Sequence, residues 1–183
     1  MKLTNPEKLT FIMLSEIYEK LGIGGDDEID PNFVKSAIYS DNTWALDWKY
    51  GGIFYEKTDP YPPEVTEVVD ILDMWVFIEE SYEQLSLDEK NELAAKADLS
   101  GKHVKFSGFD GNNETGHLSI ANFLINELDL FSRFKGRNLN SHAPSLAKHV
   151  RMNKVFEPIR KDLDGRDLDV NELAAILNAK RYS

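Results

Sequence analysis

The chain contains no cysteine and no uncharged run long enough to cross a membrane. Without cysteine there is no disulfide, no thiolate nucleophile and no cysteine-ligated zinc, so a reducing compartment is the natural setting. The N-terminus, MKLTNPEKLTF, has an acid and a proline where a signal peptide needs an apolar region. We therefore expect a soluble, cytoplasmic protein that does not engage a membrane.

Sequence signatures of a reaction are missing as well. No Walker loop, dinucleotide fingerprint or G-x-S-x-G motif is present, and the four histidines form neither HExxH nor an i, i+4 pair. A calcium loop starting at Asp110 would have Thr115 and Ala121 where glycine and glutamate are required, and one starting at Asp162 also fails. We expect no metal ligand, no cofactor and no catalytic residue.

Charge is distributed unevenly along the chain. The net charge of −11 argues against indiscriminate nucleic-acid binding. Residues 133–161 nevertheless hold eight basic residues and one acid, a net charge of +7, and residues 56–98 hold thirteen acids and three lysines, a net charge of −10. Such a split is typical of two surfaces that face each other, within one chain or across a dimer, or of separate solvated helix faces.

Helix signals account for most of the chain. Caps, prolines and apolar periodicity predict helices over 5–22, from Asp30-Pro31, over 43–50, over 63–85, after Ser86, over 113–131, over 145–163 and after Asp169. In the first of these, Leu9, Ile12, Met13, Ile17 and Leu21 form one apolar stripe. HVKFSGF, 103–109, alternates briefly like an extended segment. The expected fold is all-α, a multihelical bundle of about seven to eight helices with at most one short extended segment.

One segment is a candidate boundary inside this domain. YEKTDPYPP, 55–63, has three prolines in four positions and cannot form a regular element. We expect a single helical domain over 1–183, and the sequence leaves open a division into an N-terminal subdomain 1–60 and a C-terminal subdomain 61–183.

The long central helix has a wide apolar face and an acidic face. Trp75 and Val76 belong to the apolar face and should be buried, whereas Asp70 and Asp73 should be exposed. Phe77 lies among the acids, where it is either an ordinary surface residue or an anchor for a protein contact.

FSGFDGNNETGHLSIANFL, 106–124, is best explained as the start of a helix. Gly108 allows a tight turn, and Asp110 or Asn113 can accept the free N–H groups of the helix that follows. Glu114 near that end is favoured by the helix dipole.

Four groups of residues recur in the same order as in a known family: Thr4, Asn5, Lys8 and Leu9; Phe106, Gly108, Phe109, Asp110 and Glu114; Asn140, Pro144, Lys148, Arg151 and Met152; and Asn171, Glu172, Ile176, Asn178 and Ala179. In these motifs the chain resembles the YfbU-domain family of bacterial proteins from end to end. The resemblance implies a helical fold. The family is functionally uncharacterised and has no assigned catalytic or metal residue, so the resemblance implies no role for any residue.

Three functions remain open on the sequence. The leading hypothesis is a non-catalytic cytoplasmic protein that binds another protein, itself included, as a homodimer whose charged contacts weaken with salt. An enzyme using carboxylates in an inter-helix pocket is the alternative, and nucleic-acid binding by residues 133–161 comes third. The candidate contact residues are Phe77, Arg133, Arg137, Lys148, Arg151 and Lys154.

Overall fold

The structure, a computed structural model, describes residues 2–23, 28–53, 60–97, 99 and 104–180. Its α-helices are α1 (Asn5–Leu21), α2 (Pro31–Tyr39), α3 (Trp44–Lys49), α4 (Pro63–Gln84), α5 (Leu87–Lys96), α6 (Thr115–Asn122), α7 (Leu146–Lys161) and α8 (Val170–Asn178). A π-helical turn, Phe123–Glu127, follows α6, and a 3-10 turn spans Ser132–Phe134. The described residues contain no strand, only an isolated bridge between Phe109 and Asn140. The predicted all-α class is confirmed.

Local capping signals place most helix starts where the sequence predicts them. Asp30, Ser86 and Asp169 occupy N-cap positions, and each side chain accepts a backbone N–H of its helix. At α1 the sequence predicts Asn5 as the capping residue, which is wrong by one residue: Thr4 is the N-cap and Asn5 is already helical. The predicted helix over 113–131 is also too long, since α6 and its π-helical turn end at residue 127.

The chain divides into two compact units. Unit 1 contains Met1–Pro63 and Asn122–Leu130, and unit 2 contains Glu64–Ala121 and Phe131–Ser183. Residues 122–130 group with the N-terminal helices, although nothing in the sequence predicts it. The division into 1–60 and 61–183 stays a prediction, and much of its boundary, 54–59, lies outside the described residues.

Unit 1 has a small aromatic core. The ring of Phe123 lies 5.4 Å from that of Phe33 on α2 and 6.2 Å from that of Trp44 on α3, measured between centroids. These rings bring α2, α3 and the π-helical turn together. Helix α1 contributes a single buried residue, Ser15. It is also held by two ion pairs, one between Lys8 and Asp41 and one between Glu19 and Lys35.

Unit 2 is built around α4. Trp75 is 2% exposed, as predicted, and its indole Nε1 donates to His149 Nδ1 of α7 over 3.0 Å. Asp70 is exposed as predicted, but Val76 is only half-buried and Asp73 is half-buried rather than exposed. The acidic face of α4 is therefore not fully open to solvent.

Gly108 brings the 106–114 loop against α7 and the chain before it. Its φ of 79° is left-handed, and a Cβ there would lie 1.8 Å from the carbonyl oxygen of Leu139, so only glycine fits. The carbonyl oxygen of Gly108 accepts a hydrogen bond from His149 Nε2 over 3.2 Å. Ser145 Oγ lies 2.7 Å from the same carbonyl oxygen.

The side chain of Glu114, which directly precedes α6, caps a different helix. Its Oε1 accepts the backbone N–H groups of Ser145 and Leu146, both over 2.7 Å, and so caps the start of α7. Its Oε2 accepts the N–H of Asp110 over 2.8 Å. Burial by itself raises the pKa of this carboxyl. The hydrogen bonds from three backbone N–H groups lower the pKa by more, so the net pKa is below the usual value. Asp110 itself forms a local turn, with Oδ1 accepting the N–H of Asn112.

His149 is a buried, neutral histidine of α7, not a loop histidine. Nδ1 accepts from Trp75 and Nε2 donates to Gly108, so the ring carries its proton on Nε2. Burial lowers the pKa of His149 from 6.5 to about 3, and the charge of neighbouring Lys148 lowers it as well. Protonation would break the bond with Trp75.

We predict that His149 makes stability depend on pH. Its pKa is about 3 in the folded chain and near 6.5 when unfolded, so the unfolded chain takes up the proton first. The contribution of His149 to the free energy of unfolding should therefore be fully present above pH 6.5. It should fall by about 1.4 kcal/mol per pH unit between the unfolded pKa of 6.5 and the folded pKa of about 3. His149→Gln, whose amide can still accept from Trp75 and donate to Gly108, should flatten this slope in urea unfolding between pH 7 and 5.

The control is His142→Gln, because His142 is an exposed loop histidine. It should keep the wild-type slope. Identical slopes for the wild type and His149→Gln would show that His149 does not titrate as its burial requires.

Candidate functional site

The basic segment 133–161 is engaged largely with acids of the same unit. Arg137 makes a two-pronged contact with Glu79, each N–O distance being 2.8 Å, and Glu79 is only 3% exposed. Arg133 contacts Glu83 in the same way at 2.8 and 2.9 Å. Planar paired contacts of this kind are the strong form of the arginine–carboxylate interaction. Glu79 could not be singled out from the sequence, because no local sequence pattern distinguishes it from exposed acids such as Glu80 beside it.

The other basic candidates have different surroundings. Arg151 donates to the carbonyl oxygens of residues 179 and 180, at the end of α8, over 3.2 and 2.8 Å. A cation at a helix C-terminus is favourable. Lys148 is half-buried and donates to Ser107 Oγ over 3.0 Å, whereas Lys154 is exposed. Arg151 and Lys148 thus contribute to the packing of unit 2.

Phe77 is half-buried and packs against α7 of unit 2. Its ring lies 5.4 Å from that of Phe156, and the guanidinium of Arg160 lies 5.8 Å from its centroid. Arg160 Nη2 also makes an ion-pair contact of 2.8 Å with Asp73. The acidic and basic segments therefore contact each other within one chain, which is one of the three arrangements that the charge pattern left open. The homodimer itself stays a prediction.

A half-open pocket of about 400 Å³ bears on the enzyme alternative. Burial raises the pKa of Asp70 and Asp73 above the usual value, although the charge of Arg160 lowers both. A raised carboxyl pKa is what a general acid requires. The pocket is lined by Asp70, Asn153, Phe156, Glu157, Arg160 and Lys161. Two of these six residues are cations, which favour the ionised form of the carboxylates.

The buried group formed by Ser145, His149 and Glu114 has the residue types of a hydrolase triad but not its geometry. Both nitrogens of His149 are occupied by Trp75 and Gly108, so no nitrogen is aimed at the serine hydroxyl. Ser145 is 1% exposed and His149 is fully buried. The group holds the fold together. Within the described residues, no three His, Asp or Glu side chains form a set that could hold a metal ion.

Exposed apolar side chains are concentrated in unit 1. Of the thirteen large hydrophobic residues that are exposed in the described part of the chain, twelve belong to unit 1 and only Leu87 belongs to unit 2. The twelve are Leu9, Phe11, Met13, Leu14, Ile17, Tyr18, Leu21, Ile23, Ile29, Tyr39, Trp48 and Ile53. We call these twelve the unit 1 apolar surface. Single exposed hydrophobic residues are ordinary, but a contiguous group indicates a contact site.

Helix α1 carries more than half of this surface. The apolar stripe of α1 is mostly exposed, with Leu9 at 58%, Met13 at 55% and Leu21 at 65% exposure, while Ile12 is half-buried. At 100° per residue, an adjoining arc of about 120° holds Phe11, Leu14, Ile17, Tyr18 and Leu21, and from Thr10 to Leu21 it contains no charge. A helix face turned to water normally carries charged residues.

A groove of about 300 Å³ lies beside this arc, within unit 1. Its walls are almost entirely apolar, and three residues of α1, Phe11, Leu14 and Tyr18, belong both to the groove and to the arc. The other lining residues are Ser15, Ile29, Pro31, Val34, Leu46, Tyr50 and Ile53. Apolar grooves of this size are typical of sites that receive a ligand or a helix.

A scan against family models matches the YfbU domain over residues 1–179. The chain belongs to the YfbU family. It is also similar to the UPF0304 protein MJECS11 of Methanocaldococcus jannaschii, with 33% identity over 178 residues, which covers 91% of this chain and all of the relative. None of the described helices is long and apolar enough to cross a membrane.

The motif that first indicated the YfbU family has a structural explanation. Gly108 permits the close approach to Leu139, and Glu114 caps α7. Phe106 donates its backbone N–H to Glu79 over 2.8 Å. These residues make contacts in the interior of unit 2, so the motif has a role in the fold.

We predict that Arg137→Met lowers the free energy of unfolding without changing the oligomeric state. The substitution leaves Glu79 buried with fewer donors, which should cost about 2 kcal/mol. Lys154→Met, a change of the same kind at an exposed site, should stay within about 0.5 kcal/mol of the wild type. Chemical unfolding measures both, and equal stabilities would mean that the contact with Glu79 contributes nothing.

Proposed function

We propose that this YfbU-family protein acts by binding protein surfaces, its own included, and that part of the unit 1 apolar surface, the arc of α1 with the neighbouring Ile23, Ile29 and Ile53, makes the contact. The observation that carries the proposal is the concentration of exposed hydrophobic residues, twelve of thirteen, in one unit. Contact sites are distinguished from ordinary surface by such patches with few charges at the centre.

The amount of apolar surface supports a contact of ordinary size. The arc residues and the neighbouring Ile23, Ile29 and Ile53 are 39% to 65% exposed. Together their exposed fractions amount to about four whole residues, roughly 600–700 Å² if each is near the lower end of the 150–250 Å² that an aromatic side chain buries. A stable interface takes about 800 Å² from each partner, and the largest apolar patch on a monomer is about 300–600 Å².

The direction of the salt effect separates this contact from the charged one considered first. Chains with a net charge of −11 repel each other, and salt screens that repulsion. Association through the unit 1 apolar surface should therefore hold or tighten as salt rises. Association between the +7 and −10 segments would weaken instead.

The two other functions have less support. Nucleic-acid binding needs basic side chains that are open to phosphate, whereas Arg133 and Arg137 contact buried or neighbouring carboxylates. The carboxylate enzyme has the raised pKa of Asp70 and Asp73 in its favour, but Arg160 contacts Asp73 and its charge lowers the pKa of both. Neither alternative accounts for the unit 1 apolar surface.

The test is sedimentation velocity of the wild type and Leu14→Lys between about 1 and 100 µM, at low and high salt. Leu14 is 51% exposed, so a lysine can reach water and α1 should still form. We expect the wild type to associate and Leu14→Lys to raise the dissociation constant at least tenfold, about 1.4 kcal/mol.

Leu87→Lys is the matched control, because Leu87 is an equally apolar exposed residue in unit 2. It should associate like the wild type. A wild type that remains monomeric at about 100 µM in both salts would overturn self-association through unit 1.

A further inference from the structure

We infer that the groove of unit 1 is covered by α1 of a second copy, and that the two α1 helices pack antiparallel in one register. This inference rests on the proposed function and specifies its geometry. The contact line, which we call the seam, consists of Phe11, Leu14, Tyr18 and Leu21.

The spacing of the seam is that of a helix packed along another helix. Its residues are separated by three, four and three positions, a repeat of about 3.5 residues. The four side chains are 39% to 65% exposed. Beside the seam lie Thr10, Ile17, Ser15 and Gly22, none of which is charged. A second helix can therefore approach closely without burying a charge.

A second copy in the antiparallel direction fits this seam best. Centred between Leu14 and Tyr18, the pairing puts Phe11 opposite the partner's Leu21 and Leu14 opposite the partner's Tyr18. Each layer then joins one aromatic ring to one leucine, and the two-fold axis repeats both layers. A parallel pairing would stack Phe11 on its own copy and Tyr18 on its own copy, and would also bring like ends of the helix dipoles together.

The groove favours binding of the second helix on this side of α1, because covering it would remove apolar surface from water. Phe11, Leu14 and Tyr18 form one wall of the groove as well as most of the seam. A helix on the seam therefore covers the groove opening and displaces water from an apolar cavity of about 300 Å³. Removing apolar surface from water is favourable by about 25 cal/mol per Å². Ile29 and Ile53, which also line the groove, are 45% and 55% exposed and would be covered too.

The same geometry excludes part of α1 from the contact. Met13 is 55% exposed, yet it lies about 100° round the helix from Leu14. It should stay open to solvent in the dimer. Met13 is therefore an apolar control on the same helix, matched in exposure to the seam.

The absence of cysteine makes the register directly testable. We would prepare Leu14→Cys, Tyr18→Cys and Met13→Cys, confirm by sedimentation that each associates, and oxidise them singly and in mixed pairs. In the antiparallel register, mixing Leu14→Cys with Tyr18→Cys should give a disulfide-linked dimer in at least fivefold excess over either variant alone. Met13→Cys mixed with either of them should give no more than the background.

Other outcomes identify the step that fails. Strong linkage of Leu14→Cys alone would indicate a parallel pair, and strong linkage through Met13→Cys would indicate another face of α1; each overturns the inferred register. Association without linkage at any of these positions would show that the groove has another occupant, while the proposed self-association stands. A wild type without association would overturn both.

Discussion

The interior of unit 2 depends on the carboxylate of Glu114. It accepts backbone N–H groups from Asp110 in its own loop and from Ser145 and Leu146, which are 31 and 32 residues away. A buried charge is tolerated only when donors surround it, so the loop and the start of α7 have to meet at this point. Once α7 starts there, His149 lies against Trp75 and Gly108, and a single acid thus orders much of the packing around α4.

Unit 1 is organised in the opposite way. Helix α1 has a proline in its first turn, an acid near its start and a left-handed Gly22 at its end, so local interactions define it without much burial. It buries Ser15 and leaves its large apolar side chains exposed. Because most helices take their stability from packing an apolar face, the exposed apolar face of α1 is the unusual feature of unit 1.

The sequence predicted features that depend on near neighbours and missed those that depend on distant ones. The caps at Asp30, Ser86 and Asp169 were predictable because each interaction closes within three residues. The capping of α7 by Glu114 was not predictable because its partners lie about thirty residues further on, and Arg137 meets Glu79 across 58 residues. Apolar periodicity predicted that α1 has a packing face, but periodicity carries no information about which chain covers that face.

The distribution of charge and apolar surface restricts how this YfbU-family chain can associate. The acids of α4 and the arginines of 133–161 contact each other within unit 2, so a partner would have to replace strong existing pairs to use them. The apolar side chains of α1 have no comparable contact to lose, since water is what covers them. The proposed association through α1 would therefore gain apolar burial without breaking the ion pairs of unit 2, and it would favour the folded form of unit 1 by mass action.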